Sequence, residues 1–308
     1  MALVWHEDLS SNPTPENLMQ HRTALFALHL GAVCFGLSGI FGKLALAAPL
    51  VIVFGRALFA VGALGLFSHL AETTRRLSGR HRLALAGAGL LLGGHWWTFF
   101  IAVKVSGVGV ATLGFASFPA FTVLLEGILF RERIRSVEWL VVGLVCSGLV
   151  LVTPHFDFGS EATLGLVWAI LSGLLFALVS VSNRATTKGV EPAQAALWQN
   201  LGILVCTLPL VWTALPAVRP LDWLWIALLG LLCTALAHSL FVASLRVLNA
   251  RSASVVFALE PVYGILFAWW LFNEEPGLRM VFGGVLILLA TLISARLSKH
   301  AATVEDLS

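Results

Sequence analysis

Residues 95–132 read HWWTFFIAVKVSGVGVATLGFASFPAFTVLLEGILFRE, and residues 237–274 read AHSLFVASLRVLNARSASVVFALEPVYGILFAWWLFNE. The two stretches align without a gap, and 10 of their 38 positions are identical. The identities include a proline and a glutamate, at the pairs Pro119/Pro261 and Glu132/Glu274. Two apolar helices share leucine and alanine by chance, but a matched proline and a matched glutamate are harder to explain in that way. We therefore predict an internal repeat.

The composition of the chain is strongly apolar. Of its 308 residues, 58% are hydrophobic and 11% are charged, whereas soluble domains are about 25% charged. A water-soluble core of this length could not bury so much apolar surface, so we predict that lipid surrounds much of the chain. The net charge of +3 is spread along the chain without a basic stripe, which argues against a nucleic-acid partner.

Ten apolar runs are long enough to cross a bilayer as helices, which takes about 20 residues each. They are residues 23–46, 49–69, 83–103, 108–130, 137–153, 162–183, 193–213, 221–245, 252–272 and 278–297. We therefore predict an all-α polytopic membrane protein with ten transmembrane helices. The predicted parts are an N-terminal tail, a first five-helix repeat, a second five-helix repeat and a C-terminal tail, at residues 1–22, 23–153, 162–297 and 298–308.

Lysine and arginine are distributed unevenly over the predicted connections. With a cytoplasmic N-terminus, 14 of them fall on the cytoplasmic side and 3 on the outer side, as the positive-inside rule requires. Each repeat holds five spans, an odd number, so the second repeat enters the membrane from the opposite side. Lys104 then faces outward while its match Arg246 faces inward, and both termini are cytoplasmic. Inverted repeats are typical of alternating-access carriers, so we predict a secondary transporter of small metabolites.

The paired fourth and ninth spans carry the most specific residue pattern. Residues 111–119 read ATLGFASFP, and residues 252–261 read SASVVFALEP. They are followed by FRE at residues 130–132 and by FNE at residues 272–274. In order, spacing and duplication, residues 24–297 resemble the EamA-type members of the drug/metabolite transporter superfamily. Within that family, the chain is most similar to aromatic amino-acid exporters of the YddG type.

This resemblance implies export of aromatic or other neutral amino acids across the bacterial inner membrane, by alternating access around a central cavity. The chain departs from a symmetric pattern at one position, because Phe118 stands where the second repeat has Glu260. Two alternatives stay open: a channel or facilitator for other small metabolites, and a transporter of nucleosides, drugs or sugar derivatives. The expected partners are a small-molecule substrate and the lipid bilayer, and we expect a monomer.

Ionisable side chains inside the predicted spans are candidates for substrate contact, because a charge at bilayer depth costs about 2.5–3.5 kcal/mol. His95 lies near the middle of the third span and can hydrogen-bond a substrate carboxylate; alternatively, it joins two helices. Glu260 precedes Pro261 in the ninth span and can meet an ammonium group or pair with a basic side chain. His238 and Ser244 are further candidates, although an inter-helix hydrogen bond is the simpler interpretation of His238.

Two basic residues, Lys43 and Arg56, lie in the outer halves of neighbouring predicted spans. Their side chains can snorkel to the outer headgroups, or they can form a vestibule that attracts carboxylates. Two matched prolines, Pro119 and Pro261, let the fourth and ninth helices bend. We therefore expect all four residues to contribute to gating or to a vestibule.

Aromatic residues away from the predicted helix ends suit an apolar pocket for an aromatic ligand. The candidates are Trp96, Phe99, Trp168 and Tyr263. Neighbouring residues of a helix point about 100° apart, so Trp96 and Trp97 cannot both face the centre. We assign Trp96, next to His95, to the cavity. The alternative for each aromatic residue is contact with lipid or with a neighbouring helix.

The chain lacks the sequence patterns of the common membrane enzymes and cofactor sites. It has no HExxH or GxSxG pattern, and its four cysteines form no CxxC pair. Residues 36–43 resemble a phosphate-binding loop, but the glycine spacing is one residue too long and Leu44 replaces the serine or threonine. We therefore predict that the protein is not an enzyme, binds no metal or other cofactor, and does not use ATP.

Overall fold

All regular structure in the described part of the chain is helical. The structure is a computed structural model, and it describes residues 15–70, 76–131, 133–153, 160–187, 189–244, 256 and 259–305. The helices are α1 (Pro15–Leu44), α2 (Pro49–Leu70), α3 (Gly79–Phe115), α4 (Phe118–Leu129), α5 (Ser136–Val152), α6 (Glu161–Thr186), α7 (Pro192–Val211), α8 (Pro220–Gly230), α9 (Ala237–Ser244), α10 (Glu260–Phe272) and α11 (Leu278–Glu305). A 3₁₀ turn, Leu215–Ala217, precedes α8, and a π-helical turn, Leu231–Leu236, joins α8 to α9.

Several of these helices are long and apolar enough to cross a membrane. Among the described residues there are six such segments, Arg22–Leu44, Pro49–Leu70, Gly79–Phe115, Glu161–Thr186, Pro192–Val211 and Pro220–Leu240. Shorter apolar helices cover Phe118–Leu129, Ser136–Val152 and Leu278–Ser294. The prediction of a multi-pass, all-helical membrane protein agrees with this finding. The number of ten spans and the cytoplasmic termini stay predictions.

The predicted third and fourth spans are divided differently in the structure. Helix α3 runs through both of them up to Phe115, with a kink at Gly107, whose φ is +84°. Glycine adopts this backbone conformation without steric cost, so the chain turns there without a loop. The helix is interrupted after Phe115, and α4 begins at Phe118 with Pro119 in its first turn. Proline fits this position because the first N–H groups of a helix have no intrahelical partner.

The ends of the bundle also differ from the prediction. Helix α1 begins at Pro15 and α11 continues to Glu305, whereas tails were expected up to residue 22 and from residue 298. Residues 298–305 contain neither proline nor glycine, so the sequence has no signal that ends the helix earlier. The start of the predicted span at 252–272 lies outside the described residues except for Val256, and α10 begins at Glu260 with Pro261 in its first turn.

The helices pack against one another in pairs, and a cavity lies between the pairs in the middle of the bundle. Helix α1 packs on α9 and α10, and α6 packs on α3 and α4. Helix α2 packs on α7, and α5 packs on α11. Glycines allow the backbones to come into contact at the α3–α7 and α5–α11 interfaces. A Cβ atom at Gly89 of α3 would lie 2.1 Å from the Gln199 carbonyl oxygen, and one at Gly283 of α11 would lie 2.6 Å from the Gly148 carbonyl oxygen.

We predict that Gly148→Ala destabilises the protein while Gly143→Ala on the same helix does not. A Cβ atom at Gly148 would lie 2.6 Å from Ile287 Cγ1 and 2.8 Å from the Gly283 carbonyl oxygen, whereas Gly143 has no neighbour within 4 Å. Overpacking of this kind costs about 1–3 kcal/mol, and alanine in an open helical position gains about 0.5–1 kcal/mol over glycine. Thermal unfolding in detergent measures both effects. Equal melting temperatures for the two variants would contradict the α5–α11 contact.

Candidate functional site

A cavity of about 340 Å³ lies between the helices in the middle of the bundle. Helices α1, α2, α3, α4, α6, α7, α9 and α10 contribute to its walls together with the π-helical turn. Its aromatic lining residues are Phe35, Trp96, Phe99, Phe115, Phe118 and Phe176. Its polar lining residues are Ser38, Arg56, His95, Asn183, Gln199, Asn200, Thr234, His238 and Glu260. The cavity therefore combines large apolar faces with a few polar groups, as small-molecule sites do.

The helix interruption after α3 builds an aromatic cluster on one wall. Phe115 ends α3 and Phe118 begins α4, and their rings lie 5.3 Å apart between centroids. Phe176 of α6 lies 5.4 Å from Phe115 and 5.1 Å from Phe118, in edge-to-face geometry. The Phe99 ring lies 6.0 Å from Phe115. Of these four residues only Phe99 was predicted to bind substrate, because the break that brings Phe115 and Phe118 together is a tertiary feature.

Arg56 of α2 reaches into the cavity and not toward the headgroups. The residue is 4% exposed. Its Nε donates to Thr234 Oγ1 at 2.8 Å, and its Nη2 donates to the Cys233 carbonyl oxygen at 3.3 Å. The guanidinium carbon lies 3.9 Å from the centroid of the Trp96 ring, which is a cation–π contact. The π-helical turn and Trp96 therefore hold the Arg56 side chain inside the bundle, where it does not snorkel, and a contribution to gating or to a vestibule stays a prediction.

Glu260 faces the same cavity from the first turn of α10. Among the described residues its carboxylate forms no ion pair, with Arg56 or with any other basic group. The alternative of a buried pair with a basic residue is therefore not found in that part of the chain. A guanidinium group and a carboxyl group thus face one cavity without direct contact between them.

His95 lines the cavity and also joins α3 to α6. Its Nδ1 lies 2.8 Å from Ser172 Oγ and 3.2 Å from the Ser172 carbonyl oxygen, and Ser172 Oγ donates to the His95 carbonyl oxygen at 3.1 Å. A carbonyl oxygen only accepts, so Nδ1 carries the proton, and Nε2 of the neutral ring is an acceptor. Both interpretations of His95 thus have support, but its neutral ring has no free donor for a substrate carboxylate.

Two buried polar atoms in the cavity wall have no hydrogen-bond partner among the described residues. They are Asn200 Oδ1 and His238 Nε2. Asn200 Nδ2 donates to the Ala196 carbonyl oxygen at 2.8 Å. This bond fixes which end of the side-chain amide carries the nitrogen, so Oδ1 is the acceptor without a partner. Next to it, Gln199 Nε2 donates to Asn183 Oδ1 at 2.7 Å. Gln199 and Asn200 were not among the predicted substrate-binding residues, although amide side chains in an apolar span were a usable signal.

Three predicted substrate-binding residues do not line the cavity. The Tyr263 hydroxyl lies 3.0 Å from His29 Nδ1, so it finds its partner on α1. Trp168 packs against the main hydrophobic core cluster, and Ser244 is buried at the end of α9. Lys43, a predicted vestibule residue, lies at the end of α1 and forms an ion pair with Glu274 outside the cavity. The choice of Trp96 over Trp97 agrees with their exposed fractions of 5% and 43%.

We predict that Ser172→Ala lowers stability while Ser180→Ala on the same helix leaves it nearly unchanged. The Ser172 hydroxyl bonds His95 across the α3–α6 interface, whereas the Ser180 hydroxyl bonds only Phe176 O of its own helix at 3.0 Å. Alanine removes the two hydrogen bonds of the hydroxyl, each worth about 0.5–1.5 kcal/mol, and keeps the contact of His95 Nδ1 with the backbone carbonyl oxygen of residue 172. Chemical or thermal unfolding of the two purified variants measures the difference. A stable Ser172→Ala protein would show that the His95 bond does not hold these helices together.

Comparisons with known proteins find similarity to membrane transporters. The profile of the EamA-like transporter family matches residues 22–153 and again residues 163–296. An uncharacterized transporter of Archaeoglobus fulgidus is 28% identical over 200 residues, which are 65% of this chain and 71% of that one. An S-adenosylmethionine uptake transporter of Rickettsia prowazekii is 26% identical over 212 residues, 68% of this chain and 69% of that one.

A solved crystal structure of a further protein has the same fold. The match covers 93% of this chain and 98% of the other chain, with a TM-score of 0.58 and 18% sequence identity. At this identity the likeness concerns the fold alone.

Proposed function

The chain belongs to the EamA-like transporter family, and on that premise we propose that it is a secondary transporter of small zwitterionic metabolites. Amino acids with aromatic or other neutral side chains are the first candidates, exported across the bacterial inner membrane. One observation carries the proposal: Arg56 and Glu260 face a single, largely aromatic cavity and form no ion pair with each other. Two separated opposite charges are complementary to a zwitterion.

Arg56 is the proposed partner of the substrate carboxylate. Its guanidinium has five N–H donors, and the bonds to Thr234 and Cys233 use two of them. Arginine binds carboxylates with two parallel hydrogen bonds, which are among the strong ones in proteins. This assignment replaces the hypothesis that His95 binds the carboxylate, because the Nδ1 proton of His95 is engaged by Ser172.

Glu260, Asn200 and His238 are the proposed partners of the substrate ammonium group. A primary ammonium group has three N–H donors and needs three acceptors when it leaves water. Glu260 supplies a carboxylate, and Asn200 Oδ1 is a buried acceptor without a partner among the described residues of the cavity. His238 Nε2, also without a partner there, is a third acceptor when the proton of the neutral ring is on Nδ1. Leaving such atoms unbonded costs about 1–3 kcal/mol each, which a bound substrate would recover.

The aromatic cluster is the proposed site of the substrate side chain. Phe99, Phe115, Phe118 and Phe176 present ring faces and edges to the cavity. Aromatic contacts contribute about 0.5–1.5 kcal/mol each beyond the burial of area. A flat apolar ring is therefore the side chain that this wall accommodates best.

Alternating access between two inverted repeats is the proposed mechanism. In the predicted repeats α1 matches α6, α2 matches α7, and α5 matches α11. The contacts follow this symmetry: α2 packs on α7, α5 packs on α11, and the contacts of α1 with α9 and α10 match those of α6 with α3 and α4. The two family matches, 22–153 and 163–296, lie close to the predicted repeats. These findings support two repeats of five spans, and the uneven distribution of lysine and arginine supports cytoplasmic termini. Gradients, and not ATP, would then drive the substrate, and Pro119 and Pro261 would let the interrupted helices bend.

S-adenosylmethionine is a second candidate substrate, and two observations favour it. Relatives from several Rickettsia species are named S-adenosylmethionine uptake transporters, at 25–26% identity. The compound is itself an amino-acid zwitterion with a sulfonium cation and a purine ring. Aromatic faces such as those of Phe115 and Phe118 bind both a cation and a flat ring. The zwitterion site would be the same for both candidates.

We predict saturable flux of zwitterions into proteoliposomes that contain the purified protein. Tryptophan, phenylalanine and S-adenosylmethionine are tested against tryptamine, which lacks the carboxylate, and indole-3-propionate, which lacks the ammonium group. We expect the two analogues to compete at least tenfold more weakly, because each leaves a buried charge of the protein unpaired. Counterflow separates a carrier from a channel. Equal competition by both analogues would contradict the zwitterion site, and flux without saturation would favour the channel.

We predict that Glu260→Gln and Arg56→Gln each lower transport of these substrates at least tenfold. A hydrogen bond to a charged group contributes about 1.5–3 kcal/mol, which corresponds to a factor of about ten or more. Arg135→Gln is the matched control, since its side chain is 48% exposed in a surface pair with Glu138. Arg56→Lys keeps the charge but not the bidentate geometry, so it should restore part of the activity. Wild-type transport in correctly folded Glu260→Gln and Arg56→Gln proteins would refute both assignments.

A further inference from the structure

Three segments meet at a single carboxylate on the face of the bundle where α1 ends. Lys43 of α1 forms an ion pair with Glu274 Oε1, and its Nζ lies 4.6 Å from the centroid of the Phe272 ring. The other oxygen, Glu274 Oε2, accepts hydrogen bonds from the backbone N–H groups of Val108 at 2.9 Å and Gly109 at 3.3 Å. Glu274 thus connects the ends of α1 and α10 to the kink in α3.

The kink at Gly107 is what makes this contact possible. The backbone leaves helical geometry at Gly107, so the N–H groups of the following residues begin a new helical run without intrahelical partners. A carboxylate at such a helix start satisfies the free donors and complements the helix dipole. Any Cβ atom at residue 107 would lie 2.9 Å from Glu274 Oε2, so a side chain there would displace the carboxylate.

The lining of the cavity stops short of this face and extends toward the opposite one. On α1 the last lining residue is Ser38, and the buried residues Ile40 and Phe41 lie between it and Lys43. On α6 the lining residues continue to Asn183, which is adjacent to Arg184 near the other end of the bundle. The Lys43–Glu274 contact therefore lies beyond this end of the cavity lining, with Ile40 and Phe41 between them on α1.

The other repeat has a matching cation–aromatic pair at the opposite end. Phe130 corresponds to Phe272 in the alignment of residues 95–132 with 237–274, a shift of 142 positions. Lys43 corresponds to Arg184 at a shift of 141 positions, which also pairs Phe35 with Phe176. The Arg184 guanidinium lies 4.5 Å from the Phe130 ring and forms an ion pair of 3.2 Å with Glu126. The side chains of this second pair are 40% and 34% exposed, against 33% and 22% for Lys43 and Glu274.

We propose that the Lys43–Glu274 pair, together with the bonds of Glu274 to Val108 and Gly109, is the latch that holds the cavity closed at this face. Arg184, over Phe130 and paired with Glu126, is its inverted counterpart at the opposite face, and this more exposed contact would become buried when that face closes. This inference rests on the proposed alternating-access function. It assigns the predicted gating role of Lys43 to one identified contact, and it adds Glu274, Gly107 and Arg184 to the residues that control access.

The test measures access to the cavity from each side of the membrane. Ser38→Cys, a small change at the cavity residue nearest the latch on α1, provides a reporter thiol. Right-side-out and inside-out membrane vesicles are treated with a charged, membrane-impermeant methanethiosulfonate reagent, and site-resolved mass spectrometry quantifies modification of residue 38. With an intact latch, we expect residue 38 to be modified mainly from the Arg184 side.

Breaking the latch should open the Lys43 side in a graded way. We expect Glu274→Leu, which removes both the ion pair and the helix-start bonds, to raise modification from the Lys43 side about tenfold. Lys43→Gln, which leaves the helix-start bonds intact, should raise it by a smaller factor. Glu138→Gln, which breaks a surface ion pair with Arg135 at the start of α5, is the matched control and should change nothing.

The possible outcomes separate the latch from the proposed function. Unchanged sidedness in folded Glu274→Leu and Lys43→Gln proteins, with zwitterion transport intact in the unmodified protein, would overturn the latch. Altered sidedness without flux of any zwitterion would support the latch and refute the proposed substrate class. Loss of thermal stability in Glu274→Leu without altered sidedness would show that the contact is only structural, which also overturns the proposal.

Discussion

The cavity depends on departures from regular helix geometry in the middle of a membrane-spanning bundle. Within lipid every backbone polar group needs a partner, so irregular backbone is tolerated only where it is buried in protein or lines a cavity. Three departures surround this cavity: the interruption at residues 116 and 117, the π-helical turn Leu231–Leu236, and the start of α10 at Glu260.

Close helix contacts stabilise these departures. At the first interruption, Ser117 Oγ donates to the Gly114 carbonyl oxygen at 2.7 Å, and a Cβ atom at Gly173 of α6 would lie 2.6 Å from that hydroxyl. At the start of α10, a Cβ atom at Gly36 of α1 would lie 3.0 Å from the Glu260 carbonyl oxygen. Glycine on the facing helix therefore lets α6 and α1 pack directly over the two irregular segments. The same glycine contacts therefore pack the helices together and fix the irregular segments that shape the cavity.

The two repeats contribute different chemistry to the same cavity. At the matched position, the first repeat supplies Phe118 to the aromatic cluster, and the second repeat supplies Glu260 as a carboxylate. Arg56 comes from the first repeat, but its partners Cys233 and Thr234 come from the second, so the cation is held by contacts between the halves. A duplicated scaffold can therefore surround a cavity that is polar on one wall and aromatic on another. Such a cavity suits a substrate whose two ends differ.

The sequence by itself determined the properties that depend on local pattern. Apolar runs, helix length and the duplicated residues predicted a helical membrane protein of the transporter family, and isolated polar residues in apolar spans identified His95, His238 and Glu260 as cavity candidates. Only the tertiary structure decided which way Arg56 points, because residues of the π-helical turn 177 and 178 positions further along the chain hold its guanidinium. For the same reason Trp168, Ser244 and Tyr263 lie outside the cavity while Phe115, Phe118 and Asn200 line it. A side chain's neighbours are set by helix rotation and by breaks in the backbone, and neither can be read from the spacing of residues within one span.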